Sequence, residues 1–271
     1  MEKRKRTSIK YVFLILASFV LAIVGSFQLL HRSSVTQTNS NVSSELLSSV
    51  ETPETSSSHR FQEISFHDTV YNFEIYEVND SSKLRLIGNF KEKKTMRQIM
   101  EEKGCVFAIN AGFYSKTNAP LGMFVGMNYE QPVPLQSALF NGYICITSRA
   151  SAISLSPPDD YISVVQTGPM LLSEGKPLLL AIKNDTPERR AIAGITKEGY
   201  LLFLILFTKG STYDGPLLGD VPTILQQINS ILASPLQTAI NLDGGTASSF
   251  MTPTTTIQEL SSVGSIFCLT K

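Results

Sequence analysis

The sequence predicts an α+β fold: a single sheet-rich domain with mixed or antiparallel strands and a few helices, preceded by an N-terminal transmembrane anchor. From Phe61 onward, segments with strand-like patterns outnumber helical patterns several-fold. Strands and helices do not alternate strictly, and no internal repeat of fixed period occurs, which favours α+β over α/β or a solenoid. A run of 20 uncharged residues, 11–30, precedes the domain.

The N-terminal segments predict membrane attachment. Residues 1–10 carry five basic residues and one acidic residue and form a cytoplasmic basic flank. Residues 11–30, YVFLILASFVLAIVGSFQLL, would make a helix of roughly 30 Å, enough to cross a bilayer core. This run is longer than the ~7–15 residues of a signal-peptide core, and no clear A-x-A site follows it. We therefore favour a single-pass signal anchor in the cell membrane, with a cleaved signal as the alternative, and the domain on the extracytoplasmic side.

The segment that follows, 31–60, predicts a flexible stalk. It is rich in Ser, Thr and Asn and holds few large apolar groups, so it cannot bury enough surface to offset the entropy of ordering. Residues 61–271 are then expected to form the globular domain.

Within that domain, alternating or apolar runs predict nine strand regions. These are FQEISFHDTVYNFEIYEVN, KLRLIGNF, CVFAIN, GYICIT, ISVVQT, RAIAGIT, YLLFLILF, TAINL and GSIFCLT. A short helix is predicted at TMRQIMEEKG, capped by Thr95 and followed by Gly104. A second helix is predicted at GDVPTILQQINSILASP, with Asp220 as its cap and apolar spacing through Leu232.

Composition excludes several classes of function. The formal net charge is zero, and the domain shows no basic patch, so nucleic acid is not an expected partner. The three histidines, His31, His59 and His67, offer few bases, which disfavours Ser-His-Asp and Cys-His enzymes and histidine-rich zinc sites.

No cofactor is predicted. GGTAS lacks the G-K-[ST] end of a P-loop, and NAGFYSKTNAPLG lacks GxGxxG spacing. Asp243 with Asp214 or Asp220 leaves a divalent metal open, although no ligand spacing supports one and no metal ligand is assigned.

The three cysteines, Cys105, Cys145 and Cys268, each lie among apolar residues without metal-site spacing. We expect three buried thiols that pack as small hydrophobes. One disulfide is compatible with export, but the sequence does not choose the pair.

Four loops at strand ends are candidates for a functional site, because rigid sheets commonly carry function on their loops. The first contains Asn110 and Gly112, and the second contains Gln166, Thr167 and Gly168 before a proline. The third carries Arg189 and Arg190, whose guanidinium forks suit phosphate or carboxylate. Each of these three also suits an ordinary turn or salt bridge.

The fourth loop, NLDGGTASSF, fits a capped turn and an anion-binding site equally well. Its Gly244, Gly245 and Thr246 amides can cradle an anion. The hydroxyls of Thr246, Ser248 and Ser249 add donors, and Asp243 is placed for acid/base work.

Taken together and in order, these segments resemble the phosphodiester glycosidase family over about residues 61–271. Family members show N-[AG]-G-F-[FY] with P-x-G, then Q-[ST]-G-P-x-L, R-[TS]-A-[IV]-G and N-L-D-G-G-[GT]-S-[ST]. Here these are NAGFY with PLG, QTGPML, RAIAG and NLDGGTASS. The sequence departs from the pattern at Ala191, where the family usually has Thr or Ser, at Thr246, the third position of the Gly run, and at Ala247, where Ser is common.

The resemblance implies a hydrolase that cleaves a sugar-1-phosphodiester at the anomeric carbon and leaves a phosphomonoester. Asp243 would be general acid/base or nucleophile, Arg190 would neutralise the leaving phosphate, and Asn110 would bind a sugar hydroxyl or orient Asp243. Substrate contacts would come from Gly112, Gln166, Thr167, Gly168, Gly244, Gly245, Thr246, Ser248 and Ser249. The alternative, which the lost hydroxyls favour, is a non-catalytic domain that binds envelope glycans or glycerophosphate polymers.

Overall fold

The structure, a computed structural model, describes residues 61–211 and 213–271, and these residues fall within one compact unit. The predicted membrane segment and stalk, residues 1–60, lie outside the described residues. In the part of the chain that is described, no helix is long and apolar enough to cross a bilayer.

The described residues contain two α-helices and seventeen strands. The helices are α1 (Met96–Lys103) and α2 (Val221–Asn229). The strands are β1 (Gln62–Phe66), β2 (Thr69–Val78), β3 (Leu84–Gly88), β4 (Cys105–Asn110), β5 (Phe124–Val125), β6 (Glu130–Gln131), β7 (Gly142–Thr147), β8 (Ser151–Ser154), β9 (Tyr161–Thr167), β10 (Met170–Ser173), β11 (Lys176–Pro177), β12 (Arg190–Thr196), β13 (Leu201–Thr208), β14 (Leu236–Asn241), β15 (Phe250–Met251), β16 (Thr256–Ile257) and β17 (Ser265–Thr270).

The strands form three sheets, and every strand pair recorded in them is antiparallel. The first sheet has the order β1-β2-β13-β12-β14-β10-β11, the second β16-β15-β4-β17-β3, and the third β6-β5-β9-β7-β8. The prediction of a sheet-rich domain with few helices is confirmed. All nine predicted strand regions contain strands, and the short strands β5, β6, β8, β10, β11, β15 and β16 were not predicted.

The main core lies where the three sheets face one another. Aromatic rings link the first sheet to the second: the Tyr76 and Phe107 rings stack at 3.9 Å, and Phe203 lies 5.1 Å from Phe267 between centroids. Strand β13 is buried along almost its whole length because one face packs in the main core and the other face packs against α2. Both faces of this strand are therefore apolar, which explains its continuous LLFLILF run.

The two helices end differently from one another. Helix α1 begins with a capping box, in which the Thr95 side chain and Gln98 bond reciprocally, and it stops at Gly104 in the left-handed region. Helix α2 starts as predicted with Pro222 in its first turn, but Asp220 makes no side-chain cap bond. It ends at Asn229, so Ile231 lies beyond it and is 58% exposed.

The cysteines correct the expectation of three thiols. Cys105 and Cys268 form a disulfide that joins β4 to β17 across 163 residues of chain. Cys145 is the free, buried thiol, and burial raises its pKa to about 12.

Candidate active site

Asp243 is held by an interlock between the first and fourth loops. Its backbone N–H donates to the carbonyl of Ala111 at 3.0 Å, and the Asn110 side chain donates to the carbonyl of Asp243. The same Asn110 amide accepts from the backbone N–H of Ser249 at 2.8 Å. Asn110 is 1% exposed, so it fixes the backbone of Asp243 instead of reaching a sugar hydroxyl.

A cleft of about 380 Å³ opens beside this interlock. It is lined by Tyr114, Ser115, Lys116, Glu188, Asp243, Gly244, Gly245, Thr246, Ala247 and Ser261. The cleft thus joins the first, third and fourth loops, while the second loop contributes none of the lining.

The Asp243 carboxyl has a pKa raised to about 7. Burial is the main cause, since protein surrounds the side chain on most sides while a small exposed fraction faces the cleft. The Gly244 N–H donates to this carboxylate and lowers its pKa, and the negative charge of Glu188 raises it. Asp243 therefore keeps its proton into the neutral range, where a carboxyl can act as a general acid.

Glu188 is a second carboxylate in the cleft, and sequence reasoning did not select it. Its side chain packs over Gly245, whose φ is +62°, and a Cβ added there would lie 2.7 Å from Glu188 Oε2. Only glycine at this left-handed position permits that approach. An acid two residues before Arg190, next to the RAIAG motif, was the available signal.

Arg190 is buried, and its guanidinium is directed at neighbouring protein. Nε donates to the Pro216 carbonyl at 3.0 Å, and Nη2 donates to the Thr186 carbonyl at 2.6 Å and to Asp185 at 3.4 Å. Nη1 lies 3.8 Å from Glu188 Oε2. Arg190 therefore holds the segment that carries Glu188, and its contacts do not agree with the expectation that it binds the leaving phosphate.

Arg189, which is 2% exposed, ties the fourth loop to the segment just before β12. Its Nε donates to Ser248 Oγ at 2.6 Å, and its Nη2 donates to the Gln258 carbonyl at 3.0 Å. Burial lowers the pKa of this guanidinium to about 10, and the charge of Glu259 opposes that shift. The Arg189 carbonyl accepts from the Gly245 amide at 2.8 Å.

These contacts correct the expected anion cradle. The Gly244 and Gly245 amides bond to Asp243 and Arg189. Ser248 and Ser249 are fully buried, so neither faces the cleft. The Ser248 hydroxyl donates to the Gly245 carbonyl, and the Ser249 hydroxyl lies 2.8 Å from Glu259 Oε2.

The second loop supports the fold beside the cleft. All four hydrogen bonds of the buried Gln166 amide go to backbone groups of Met123, Leu135 and Phe140. Thr167 is fully buried and donates to the Asn241 carbonyl at 2.8 Å.

Glycines complete the packing of these loops. Gly168 precedes a cis proline, and its carbonyl accepts from the Asn241 amide at 3.1 Å. Gly112 packs against Val165, where a Cβ would meet a methyl group at 2.5 Å. The structure thus places the predicted contacts Gln166, Thr167, Gly168 and Gly112 behind the cleft and not in its lining.

The departures from the family pattern lie at different depths. Ala191 is fully buried in the main core, whereas Thr246 is exposed at the rim and its hydroxyl lies 3.0 Å from that of Ser261. Ala247 lines the cleft.

Acidic residues do not gather into a metal site here. Within residues 61–211 and 213–271, no group of three or more His, Cys, Asp or Glu side chains is placed to hold a metal ion. Asp214 accepts from the Ser211 hydroxyl, and Asp220 precedes α2, so neither lines the cleft with Asp243.

A family model described as phosphodiester glycosidase matches residues 103–268, more than half of the chain. The chain belongs to the phosphodiester glycosidase family. The matched range includes all four loops of the site.

Two solved structures share the fold of this family member. The zebrafish N-acetylglucosamine-1-phosphodiester α-N-acetylglucosaminidase catalytic domain, auto-inhibited by its pro-peptide, has a TM-score of 0.59 at 15% identity, covering 78% of this chain and 82% of that one. A hypothetical protein from Synechocystis has a TM-score of 0.53 at 14% identity, covering 77% of this chain and 61% of that one. A search of curated proteins gives no significant match.

Proposed function

We propose that this protein is an exported, membrane-anchored hydrolase that cleaves a sugar-1-phosphodiester at the anomeric carbon and leaves a phosphomonoester. Family membership and the fold shared with the zebrafish phosphodiester α-N-acetylglucosaminidase support this proposal. The observation that carries it is the pair of carboxyl groups, Asp243 and Glu188, in one cleft with the pKa of Asp243 raised to about 7.

The environments of the two carboxyl groups suggest their roles. Glycosidases commonly use one carboxylic acid to protonate the leaving oxygen and one carboxylate as base or nucleophile. Asp243 is the proposed acid because burial and the charge of Glu188 favour its protonated form. Glu188 is the proposed base.

The proposed reaction balances as a hydrolysis. The bond between the anomeric carbon and the phosphate oxygen breaks, and that oxygen takes the electron pair and the proton of Asp243. Water bonds to the anomeric carbon and gives a proton to Glu188. The products are the free sugar and a phosphomonoester, and solvent then returns both carboxyl groups to their starting states.

Other lining residues shape the space around these two groups. The Tyr114 hydroxyl donates to the Ser262 carbonyl, so its ring is fixed as a wall of the cleft. Thr246 and Ser261 provide hydroxyls at the rim that suit the hydroxyls of a sugar.

The proposed location rests on different observations. Residues 11–30 carry the apolar run that predicts an anchor. The Cys105–Cys268 disulfide supports export, because disulfides persist mainly in oxidising compartments. An envelope sugar phosphodiester is accordingly the expected substrate class.

The test measures phosphomonoester release from a GlcNAc-1-phosphodiester by the wild type and by Asp243→Asn. We expect Asp243→Asn to lower kcat at least about 100-fold, because general acid catalysis contributes about that much. Glu188→Gln should lower it comparably. Asp220→Asn is the matched control, since Asp220 lies outside the cleft and makes no cap bond.

One outcome would overturn the role of Asp243, and another would overturn the hydrolase function. Full hydrolysis by Asp243→Asn would remove Asp243 from the reaction. Tight glycan binding by the wild type, without turnover across diverse diesters, would instead support the binding-domain alternative.

A further inference from the structure

We propose that Lys116 binds the phosphate of the substrate, and that the charges of the cleft select a singly charged phosphodiester over a doubly charged phosphomonoester. This inference rests on the function proposed above and assigns its phosphate contact to a residue outside the family motifs.

The contacts of the neighbouring arginines motivate the assignment. Arg190 is buried, and its guanidinium bonds to Pro216, Thr186 and Asp185 and pairs with Glu188. Arg189 is directed into the protein toward Ser248 and Gln258. Neither arginine is among the residues that line the cleft.

Lys116 has the opposite environment. It is the cationic residue among the described residues that line the cleft, and its side chain is exposed. Within residues 61–211 and 213–271 it takes part in none of the recorded ion pairs. An ammonium group with free donors beside a reaction centre is suited to phosphate oxygens.

The backbone under Lys116 is fixed, so the ammonium group is presented from a defined point. The Ser115 N–H donates to the Ala119 carbonyl at 2.8 Å, and the Asn118 N–H donates to the Ser115 carbonyl at 2.8 Å. The Ser115 hydroxyl also accepts from the Ala119 N–H at 3.2 Å. This tight turn directly follows the NAGFY strand end that is interlocked with Asp243.

The charges around the cleft explain the selection. The positive charges of Lys116 and Arg190 are opposed by Glu188 and Asp185, while Asp243 is neutral in its acid form. A phosphodiester brings one negative charge, whereas a phosphomonoester brings about −1.5 to −2 at neutral pH. Because the Glu188 carboxylate lines the same cleft, it repels the extra charge of the monoester, which favours release of the product.

The experiment compares Lys116→Met with Lys116→Arg in hydrolysis of a GlcNAc-1-phosphodiester. We expect Lys116→Met to raise KM roughly five- to tenfold with little change in kcat, because it removes a charge-assisted contact made in the ground state. Lys116→Arg should restore most of the KM. Lys176→Met, an exposed lysine on β11, is the matched control and should keep the wild-type KM.

Competitive inhibition tests the charge selection. The phosphomonoester product should bind the wild type more weakly than the diester substrate does. An unchanged KM in Lys116→Met, or a monoester that binds as tightly as the diester, would overturn the inference while leaving the hydrolase function intact.

Absence of turnover by the wild type would defeat the proposed function separately. In that case calorimetric binding of the same diester tests Lys116: weaker binding by Lys116→Met than by Lys176→Met supports the contact, and equal binding refutes it.

Discussion

At the scale of single residues, the chemistry proposed for the cleft depends on the fixed positions of Glu188 and Asp243. Both lie in loops that bond to other segments: the Asp243 backbone bonds to Ala111 and Asn110, and the carbonyl of Arg189, next to Glu188, accepts from the Gly245 amide. The charge of Glu188 and the burial of Asp243 act in the same direction on the Asp243 proton. This arrangement has consequences for stability as well as for catalysis.

Stability should fall as pH rises through the range in which folded Asp243 keeps its proton. In the unfolded chain the carboxyl titrates near pH ~4, but in the folded protein its pKa is about 7. Between these values the folded state binds the additional proton, so the free energy of unfolding decreases with rising pH. Asp243→Asn removes this dependence and should gain melting temperature relative to wild type as pH rises from about 5 to about 8. If the melting temperatures of wild type and Asp243→Asn changed in parallel with pH across that range, the raised pKa of Asp243 would be contradicted.

Gly245→Ala should lower activity through Glu188. The added Cβ would lie 2.7 Å from the Glu188 carboxylate, which must move away. Gly199→Ala is the control because Gly199 also has positive φ, at +92°, but nothing lies within 4 Å of an added Cβ. Both variants should lose about 1–2 kcal/mol of stability from the left-handed backbone. Only Gly245→Ala should lose about tenfold or more in kcat/KM, and equal activity of the two variants would show that the placement of Glu188 is unimportant.

Sequence reasoning identified Asp243 and Asn110 because glycines and polar groups follow strand ends in a family pattern. It did not identify Glu188 or Lys116, since each is an ordinary charged residue in a polar loop. Their place in the cleft depends on tertiary contacts: the close approach at Gly245, and the Ser115–Ala119 turn. Ser248 and Ser249 are predicted substrate contacts that do not face the cleft. Their hydroxyls bond to buried partners, which the sequence does not reveal.

At the scale of secondary-structure elements, the starts of the two helices show which sequence signals are sufficient to predict a cap. Thr95 has extended backbone angles, which direct its hydroxyl to the first turn of α1. Asp220 has helical angles, with φ of −87° and ψ of −21°, so its carboxylate does not turn back to cap α2. Both residues are favourable cap types in sequence, and the backbone conformation decides between them.

The conformation of residues 126–141, between β5 and β7, depends on one side chain in β9. Gln166→Ala would leave backbone groups of Met123, Leu135 and Phe140 without the partner that the amide provides. We expect a loss of about 2–3 kcal/mol in the free energy of unfolding, measured by urea denaturation. Amide hydrogen exchange should also rise in residues 126–141.

Gln237→Ala is the control for this substitution. Its side chain is exposed on β14, so truncation should change stability by less than about 0.5 kcal/mol. If the two glutamine variants were equally stable, the Gln166 amide would not be what fixes the loop.

Strand positions were predictable because apolar runs and alternation are local properties of the sequence. The two-residue strands were not, since β5, β11 and β15 exist through pairing with longer strands, and β6 and β16 through pairing with β5 and β15. Which sheet each strand joins also depends on distant contacts, as with β2 and β13.

At the scale of the whole molecule, the disulfide links the C-terminal strand to a strand 163 residues earlier. The double variant Cys105→Ala/Cys268→Ala should lose about 2–5 kcal/mol, as is usual when a native disulfide that closes a long loop is removed. Urea denaturation of the oxidised wild type and the double variant measures this difference.

Cys145 provides the chemical control. Its thiol is buried and its pKa is raised to about 12, so iodoacetamide should not modify it in the native protein. Rapid alkylation of the native, non-reduced protein would contradict either the burial of Cys145 or the Cys105–Cys268 pairing, and mapping the modified cysteine would show which.

Strand β17 lies in the interior of the second sheet, with β4 on one side and β3 on the other. Its residues Ser265–Thr270 are made long after both neighbours, so β3 and β4 have no common partner until the ribosome has added that strand. A nascent chain shorter than this exposes two strand edges and the aromatic core beside them. The domain therefore completes its second sheet only after synthesis has passed residue 270. Chains cut short before residue 265 are expected to be taken by chaperones and proteases instead of reaching the folded state.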